Sequence, residues 1–192
     1  MRRARSLALR VRAISCGEVG TASAFLLDAR TLVTNRHVVE GARRLDLETW
    51  DGRRARVGAV TQGVGPDLGI VRLRGGVPAG MRPARLADAD PRPGARVHAI
   101  GFPGGGRLRV TSGRVLDTRA DVELGSLGRI VRVTARIRPG NSGGPLVDGT
   151  GFVVGVVYAI ERSTGHGLAV PVSGFRLVLE EPSDLREVTP AC

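Results

Sequence analysis

Short β-type runs separated by tight-turn residues recur along the whole of this 192-residue chain. Asp51-Gly52, Gly75-Gly76 and Asp148-Gly149 each stand between two such runs, which is the sequence signature of β-hairpins. The chain contains 28 glycines and 11 prolines, and no window approaches 18 uninterrupted apolar residues. Many short strands without long helices between them indicate a β-sandwich or β-barrel, and no membrane span is predicted.

The runs fall into two sets of comparable size. Residues 75–94 lie between the sets and are rich in proline, glycine and aspartate, which is typical of a linker. A helical pattern over residues 174–181 ends before Pro182. We therefore expect two β-subdomains followed by a short C-terminal helix.

The net charge of +11 arises from 29 basic residues, all arginine, against 18 acidic ones. The arginines are scattered along the chain, and only residues 2–12 form a cluster. Aromatic residues make up 3% of the chain, too few to indicate stacking on single-stranded nucleic acid. The charge is interpreted as an arginine-biased solvated surface, and no nucleic-acid partner is predicted.

The basic residues at the front resemble the start of a signal peptide. The apolar stretch at residues 6–9 is interrupted by Arg10 and Arg12, so it is too short for a signal-peptide core. Residues 1–14 are therefore predicted to be a basic tail, or the end of a longer membrane-anchored form.

The two cysteines, Cys16 and Cys192, stand near opposite ends of the chain. Their spacing allows either a bridge that ties the ends together or two unrelated thiols. A bridge would indicate an oxidising compartment.

One segment, PGNSGGPL at residues 139–146, has the composition of a rigid exposed turn. Gly140 permits unusual dihedral angles, so the amides of Gly140 and Ser142 could point at one spot. Two converging donors would stabilise the oxyanion formed when Ser142 attacks a carbonyl carbon. The alternative is an ordinary glycine-rich β-turn.

A serine nucleophile needs a base, and the chain has three histidines. His98 lies in an apolar run and His166 between two glycines, whereas His37 follows a strand-like run and starts a helical stub. Asp67, which precedes another apolar run, could orient the imidazole of His37. Taken alone, Asp67 is also typical of a residue that caps a strand.

Three motifs in this order, TNRHVV at 34–39, DLGIV at 67–71 and GNSGGPL at 140–146, resemble those of the trypsin-like serine proteases. Two further motifs, AIGFPGG at 99–105 and GLAVP at 167–171, resemble the bacterial HtrA/DegP branch. The resemblance extends over residues 17–180.

The resemblance implies an all-β fold of two antiparallel six-stranded β-barrels with a short C-terminal helix. The protease domain would span residues 15–180, with one barrel at about 15–77, a linker at about 78–94 and the second barrel at about 95–173. Residues 181–192 would form a tail that ends in Cys192.

It also implies a serine endopeptidase that hydrolyses polypeptides through an acyl-enzyme, without a cofactor or a metal. Ser142 is the implied nucleophile, His37 the base and Asp67 its orienting carboxylate. The oxyanion hole would comprise the amides of Gly140 and Ser142, with Asn141 as a further donor. The alternative is a catalytically weak peptide-binding or chaperone module, and the oligomeric state is not predicted.

The residues implied at the primary substrate pocket are Arg136, Val157, Tyr158, Ala159 and His166. Arg136 would lie at the base of the pocket and favour an acidic side chain at the cleavage position. Alternatively, Arg136 points to solvent and a small apolar pocket accepts Ala, Val or Leu.

HtrA proteases usually carry a peptide-binding PDZ domain after the protease domain, whereas this sequence stops at Cys192. The cysteines near both ends and FPGGG at 102–106 resemble the mycobacterial membrane-anchored acid-resistance proteases. That resemblance implies a Cys16–Cys192 disulfide and a periplasmic, cell-envelope or extracellular location. The membrane anchor of that group is not found in this sequence.

Overall fold

The computed structural model describes residues 2–120 and 128–189. Its helices and strands, in chain order, are α1 (Arg2–Leu7), β1 (Ala8–Ile14), β2 (Val19–Leu26), β3 (Thr31–Thr34), α2 (Arg36–Val39), β4 (Arg44–Glu48), β5 (Arg54–Ala55), β6 (Val57–Gly63), β7 (Gly69–Leu73), β8 (Arg96–Gly101), β9 (Arg109–Ala120), β10 (Arg129–Val133), β11 (Pro145–Asp148), β12 (Val153–Ile160), β13 (Gly167–Pro171), α3 (Val172–Glu180) and β14 (Leu185–Glu187). Short 3-10 turns lie at Pro103–Gly105 and Pro182–Asp184. The prediction of a mostly β fold with a short C-terminal helix is confirmed.

The second half of the chain forms a closed barrel of six strands in the order β10-β13-β12-β11-β8-β9. Every neighbouring pair in this barrel is antiparallel. This half therefore matches the predicted six-stranded barrel.

The first half differs from the predicted closed barrel. It is an eight-stranded antiparallel sheet in the order β14-β6-β7-β3-β2-β1-β4-β5. One edge strand, β5, has only two residues, and the other, β14, comes from a segment predicted to be a tail. The sheet therefore stays open, and the C-terminal part of the chain extends it.

The front of the chain also differs from the prediction, because the residues expected in a basic tail form β1 in the interior of the first sheet. This strand pairs with β2 on one side and with β4 on the other. Leu9 and Val11 are buried, whereas Arg12 is exposed and Arg10 forms an ion pair with Glu48. Successive side chains in a strand point to opposite faces, so arginines on one face are compatible with a buried apolar face on the other.

The two halves share one apolar cluster. Phe25 and Val33 of the first half pack with Ile100 and Phe102 of the second. Phe175 of α3 joins the same cluster and meets Phe25 edge to face, with the ring centroids 6.0 Å apart. This common core holds the neighbouring ends of β3, β7, β8 and β11 in fixed positions. Across the described ranges, no helix has the length and apolar character needed to cross a membrane.

Candidate active site

His37 and Asp67 lie at paired ends of two neighbouring strands. His37 is in α2, which follows β3 after Asn35, and Asp67 precedes β7. The antiparallel register places Thr34 opposite Gly69, so both ends meet at one edge of the first sheet. A Cβ atom on Gly69 would lie 2.8 Å from the backbone oxygen of Asn35, so this close approach requires glycine.

Asp67 contacts His37 through both carboxylate oxygens. Oδ2 lies 2.7 Å from Nδ1 of the imidazole, and Oδ1 accepts a 3.0 Å hydrogen bond from the His37 backbone N–H. The side-chain amide of Asn35 donates to the backbone oxygen of Asp67 at 2.8 Å. A carboxylate only accepts hydrogen bonds, so Nδ1 carries the proton in this contact and Nε2 is left as an acceptor.

The segment before Ser142 has two amides that are available to a ligand. Gly140 has a φ of +97°, and the carbonyl of the preceding Pro139 accepts a 2.7 Å hydrogen bond from Gly104. The N–H of Gly140 belongs to the same planar peptide and points to the opposite side from that carbonyl. Among the described residues, no backbone carbonyl accepts from the amides of Gly140 and Ser142.

The amide of Asn141 is not available in the same way. It donates to the carbonyl of Arg138 at 3.0 Å, an interaction that closes the turn before Ser142. The structure therefore provides two candidate oxyanion donors, Gly140 and Ser142, and corrects the expectation of a third.

The hydroxyl of Ser142 lies beside the cavity that His37 lines. Its Oγ donates to the carbonyl of Tyr158 at 3.3 Å. Tyr158, His37 and Asp67 line one cavity of about 360 Å³. Within the described ranges Ser142 Oγ makes no hydrogen bond to His37, so attack requires rotation of the serine side chain toward Nε2.

Ser23 of β2 connects the first half to the Ser142 segment. Its side chain is fully buried; Oγ donates to the carbonyl of Gly140 at 2.7 Å and accepts from the amide of Phe102 at 2.9 Å. Its backbone N–H donates to the carbonyl of Ser142 at 2.8 Å. Sequence reasoning missed this residue; the available signal was one polar side chain in the apolar run at 22–27.

Three of the predicted pocket residues follow one another on β12. Val157 is buried and exchanges backbone hydrogen bonds with the Ser142 segment, to Gly143 at 2.8 Å and to Gly144 at 2.9 Å. Tyr158 and Ala159 follow it and line the cavity beside His37. The strand therefore fixes this wall of the site to the nucleophile segment.

The structure separates Arg136 from this wall. Arg136 is exposed and lines a different cavity together with Arg109 and Arg138. The adjacent Ile137 points the other way, and a Cβ atom on Gly167 would lie 2.4 Å from its Cγ1. Because the side chains alternate along this segment, the apolar residue faces β13 and the arginine faces away.

His166 belongs to an ion-pair network that sequence reasoning also missed. Glu161, which follows β12 and is 4% exposed, accepts from Arg132 at 3.0 Å and from Arg119 at 2.5 Å. Thr164 also donates to Glu161, and Nδ1 of His166 lies 3.7 Å from its carboxylate. The hydrogen bond from Thr164, with those from the arginines, lowers the pKa of Glu161 to about 2.

Cys16 lies in the turn between β1 and β2. Its predicted partner, Cys192, lies outside the described residues, so the bridge stays a prediction. Within the described ranges, no group of three or more His, Cys, Asp or Glu side chains could hold a metal ion.

The chain is similar to known proteins in both sequence and fold. Residues 22–156 match the trypsin-like peptidase domain. The chain is 34% identical over 181 residues to the chloroplastic Protease Do-like 1 of Arabidopsis thaliana, covering 88% of this chain and 41% of the relative. It is 32% identical over 157 residues to the periplasmic serine endoprotease DegP of Salmonella typhimurium, covering 78% of this chain and 33% of the relative. The chain thus spans between a third and two fifths of the length of these curated relatives.

Two solved structures have closely similar folds. The active form of the Rv3671c protease from M. tuberculosis aligns with a TM-score of 0.83 at 23% identity, over 98% of this chain and 85% of that one. The HtrA-type protease AlgW with a tripeptide aligns with a TM-score of 0.79 at 30% identity, over 93% of this chain and 60% of that one. At 23% identity, the similarity to the Rv3671c protease shows a shared fold alone.

Proposed function

This chain belongs to the trypsin-like peptidase family, and from that premise we propose that it is a serine endopeptidase acting on polypeptides. Ser142 is the proposed nucleophile, His37 the general base and Asp67 the residue that orients the base. The observation that carries the proposal is the double contact of Asp67 with His37, which leaves Nε2 without a hydrogen bond to any described residue, beside the cavity next to Ser142.

In the first proposed step, the Ser142 hydroxyl rotates from the Tyr158 carbonyl toward His37. Oγ forms a bond to the peptide carbonyl carbon while its proton passes to Nε2. Asp67 stabilises the imidazolium that results. The negative charge on the former carbonyl oxygen is met by the N–H groups of Gly140 and Ser142, each worth roughly 3–4 kcal/mol to the transition state.

In the second step, the tetrahedral intermediate collapses and the C–N bond breaks. The imidazolium of His37 gives its proton to the leaving amine, and the acyl group remains on Ser142. A water molecule then transfers a proton to His37 and attacks the acyl carbon. Collapse of this second intermediate returns the proton to Ser142 and releases the new carboxylate.

For the primary pocket we propose a preference for small apolar side chains at the cleavage position. The orientation of Ile137 toward Gly167, and of Arg136 away from it, supports this alternative over an acidic preference. Peptides with Ala, Val or Leu at that position should be cut faster than the matched peptide with Glu. Equal or faster cleavage after Glu would contradict this assignment.

A fluorophosphonate probe tests the catalytic assignment, since it labels a serine only when the base and the oxyanion donors are in place. The wild-type protein should be labelled and should cleave peptides. Ser142→Ala should lose labelling and at least about 10⁴-fold in kcat/KM.

Ser112→Ala is the matched control, because Ser112 Oγ lies 2.8 Å from His98 Nδ1 and neither residue of this serine–histidine pair lines the cavity of His37. This variant should keep both labelling and cleavage. Peptide binding by a wild-type protein that is neither labelled nor active would favour the peptide-binding module instead.

A further inference from the structure

A second cavity lies beside the segment that precedes Ser142, apart from the His37 cavity. It has a volume of about 300 Å³ and is lined by Pro103, Arg109, Thr111, Arg136, Arg138 and Asn141. We call it the arginine cavity. It shares no lining residue with the cavity of His37, Asp67 and Tyr158.

The charge of the arginine cavity is not balanced by the protein in the part of the chain that the structure describes. Arg109, Arg136 and Arg138 are exposed, and none of them has an ion pair or a side-chain hydrogen bond there. Elsewhere in the same barrel, Arg119 and Arg132 are paired with Asp117 and Glu161. Like charges that converge on one cavity repel each other unless an anion lies between them.

Two uncharged polar atoms of residues that line the arginine cavity are closed to solvent. Asn141 is 4% exposed, and its Oδ1 lies near Gly101. The Oγ1 atom of Thr111, on β9, is also buried. The charged groups that a ligand can reach directly in this cavity are therefore the three exposed guanidinium groups.

We propose that the arginine cavity binds a phosphate-type oxyanion. A guanidinium presents donors in a planar fork that matches tetrahedral oxyanions, and three of them approach this cavity. Sulfate has the same tetrahedral shape and a similar charge, so it should occupy the same site.

Bound phosphate would brace the segment that carries the proposed oxyanion donors. Arg138 accepts the hydrogen bond from the Asn141 amide, and Asn141 lies between Gly140 and Ser142 in the chain. An anion held by Arg136 and Arg138 would therefore fix the start of this turn. Binding should raise the thermal stability of the protein, because a ligand that binds only the folded state stabilises it.

Isothermal titration calorimetry of the whole chain with inorganic phosphate tests the proposal. The buffer should contain 0.15 M sodium chloride, so that diffuse attraction to the net positive charge is screened. We expect one site with a dissociation constant below 1 mM, as an order of magnitude, competition by sulfate for the same site, and a rise in Tm with phosphate. A parallel titration with glycerol 3-phosphate shows whether the site binds only free phosphate or also the phosphoryl group of a phosphate monoester.

Two double variants that each remove two positive charges distinguish a specific phosphate site from general attraction of phosphate to the positively charged protein. Arg136→Gln/Arg138→Gln should weaken phosphate binding at least tenfold. Arg12→Gln/Arg92→Gln, at exposed positions outside the cavity, should leave it unchanged.

No saturable binding of phosphate, or equal weakening by the two double variants, would overturn the proposal. If Arg136→Gln/Arg138→Gln does not fold, Arg109→Gln takes its place with the same expectation. Calorimetry measures binding directly, so the result does not depend on whether the protein cleaves peptides.

Discussion

Ser23 makes four hydrogen bonds that meet at the boundary between the two halves of the molecule. Besides the contacts to Gly140, Phe102 and Ser142, its carbonyl accepts from Thr34 Oγ1 at 2.8 Å. Thr34 is three residues before His37, so one buried side chain and its peptide groups tie the proposed base, the proposed nucleophile and the candidate oxyanion segment to a common point. Ser23 is therefore a positioning residue rather than a catalytic one.

Ser23→Ala should lower kcat about 10- to 100-fold with little change in KM, because the oxyanion segment loses the contact that orients Gly140. The free energy of unfolding should fall by about 1–3 kcal/mol, since two partners are left unsatisfied. Peptide-cleavage kinetics and urea unfolding measure the two effects.

Thr31→Val provides the comparison for a structural effect alone. Thr31 is 2% exposed, and its Oγ1 accepts from Arg72 at 2.6 Å at the far end of β3. It should reduce stability without reducing kcat. An unchanged kcat in Ser23→Ala would show that the contact does not position the site.

At the scale of elements, the ion-pair network around Glu161 joins three strands of the second barrel. Glu161 follows β12, Arg132 is in β10, and Asp117 and Arg119 are in β9. The loop after β12 is closed by backbone hydrogen bonds between Glu161 and His166 and from Gly165 to Glu161, each 2.8 Å long. The network thus attaches a predicted wall of the substrate pocket to the opposite strands of the barrel.

The stability contributed by Glu161 should depend on pH in a defined range. Its pKa is lowered from about 4.5 to about 2 in the folded protein, with the hydrogen bond from Thr164 as the main cause. A lowered folded-state pKa stabilises the protein above the unfolded pKa, and this contribution disappears as the pH falls through the folded value. The Tm difference between wild type and Glu161→Gln should therefore be greatest above pH 5 and should shrink between pH 4.5 and 2.

Thermal unfolding from pH 7 to 2 measures this difference, with Glu180→Gln as the control. Glu180 is exposed at the end of α3, and its substitution should give a small Tm difference across this range. If the Tm difference between wild type and Glu161→Gln stays constant as the pH falls, the charge of the Glu161 carboxylate does not contribute to stability.

For the whole molecule, the predicted Cys16–Cys192 bridge would join the turn after β1 to the end of the chain. The C-terminal strand β14 already pairs with β6, at one edge of the sheet that contains β1. A bridge restricts the unfolded chain, so its loss should lower the free energy of unfolding by roughly 2–5 kcal/mol. Reductant should lower the Tm of the wild-type protein accordingly.

Cys16→Ser/Cys192→Ser should have the Tm of the reduced protein and should not respond to reductant. Thiol titration of the unfolded protein without reductant should find no free thiol in the wild type. Two titratable thiols, or equal Tm values with and without reductant, would contradict the bridge.

Much of the fold follows from local features of the sequence. Glycine pairs and short β-branched runs specify hairpins through preferences that act within a few residues, whereas the six-stranded barrel was implied by the resemblance to the trypsin-like proteases. The motifs around His37, Asp67 and Ser142 were found for the same reason, since each is contiguous in the chain. The segment expected to be a basic tail contains β1, because alternating arginines hide a strand whose other face is buried.

The sequence by itself determined the β architecture, the candidate catalytic residues and the turn that presents Ser142. Only the tertiary structure showed that the Arg136 side chain points away from β13. It alone showed that the Asn141 amide donates to the Arg138 carbonyl, and that Ser23 connects the two halves. Each of these depends on pairing between segments that are distant in the chain, and a shift of one residue in a strand turns every side chain to the other face. Local preferences do not specify that register, whereas packing of the two halves around Phe25, Phe102 and Phe175 does.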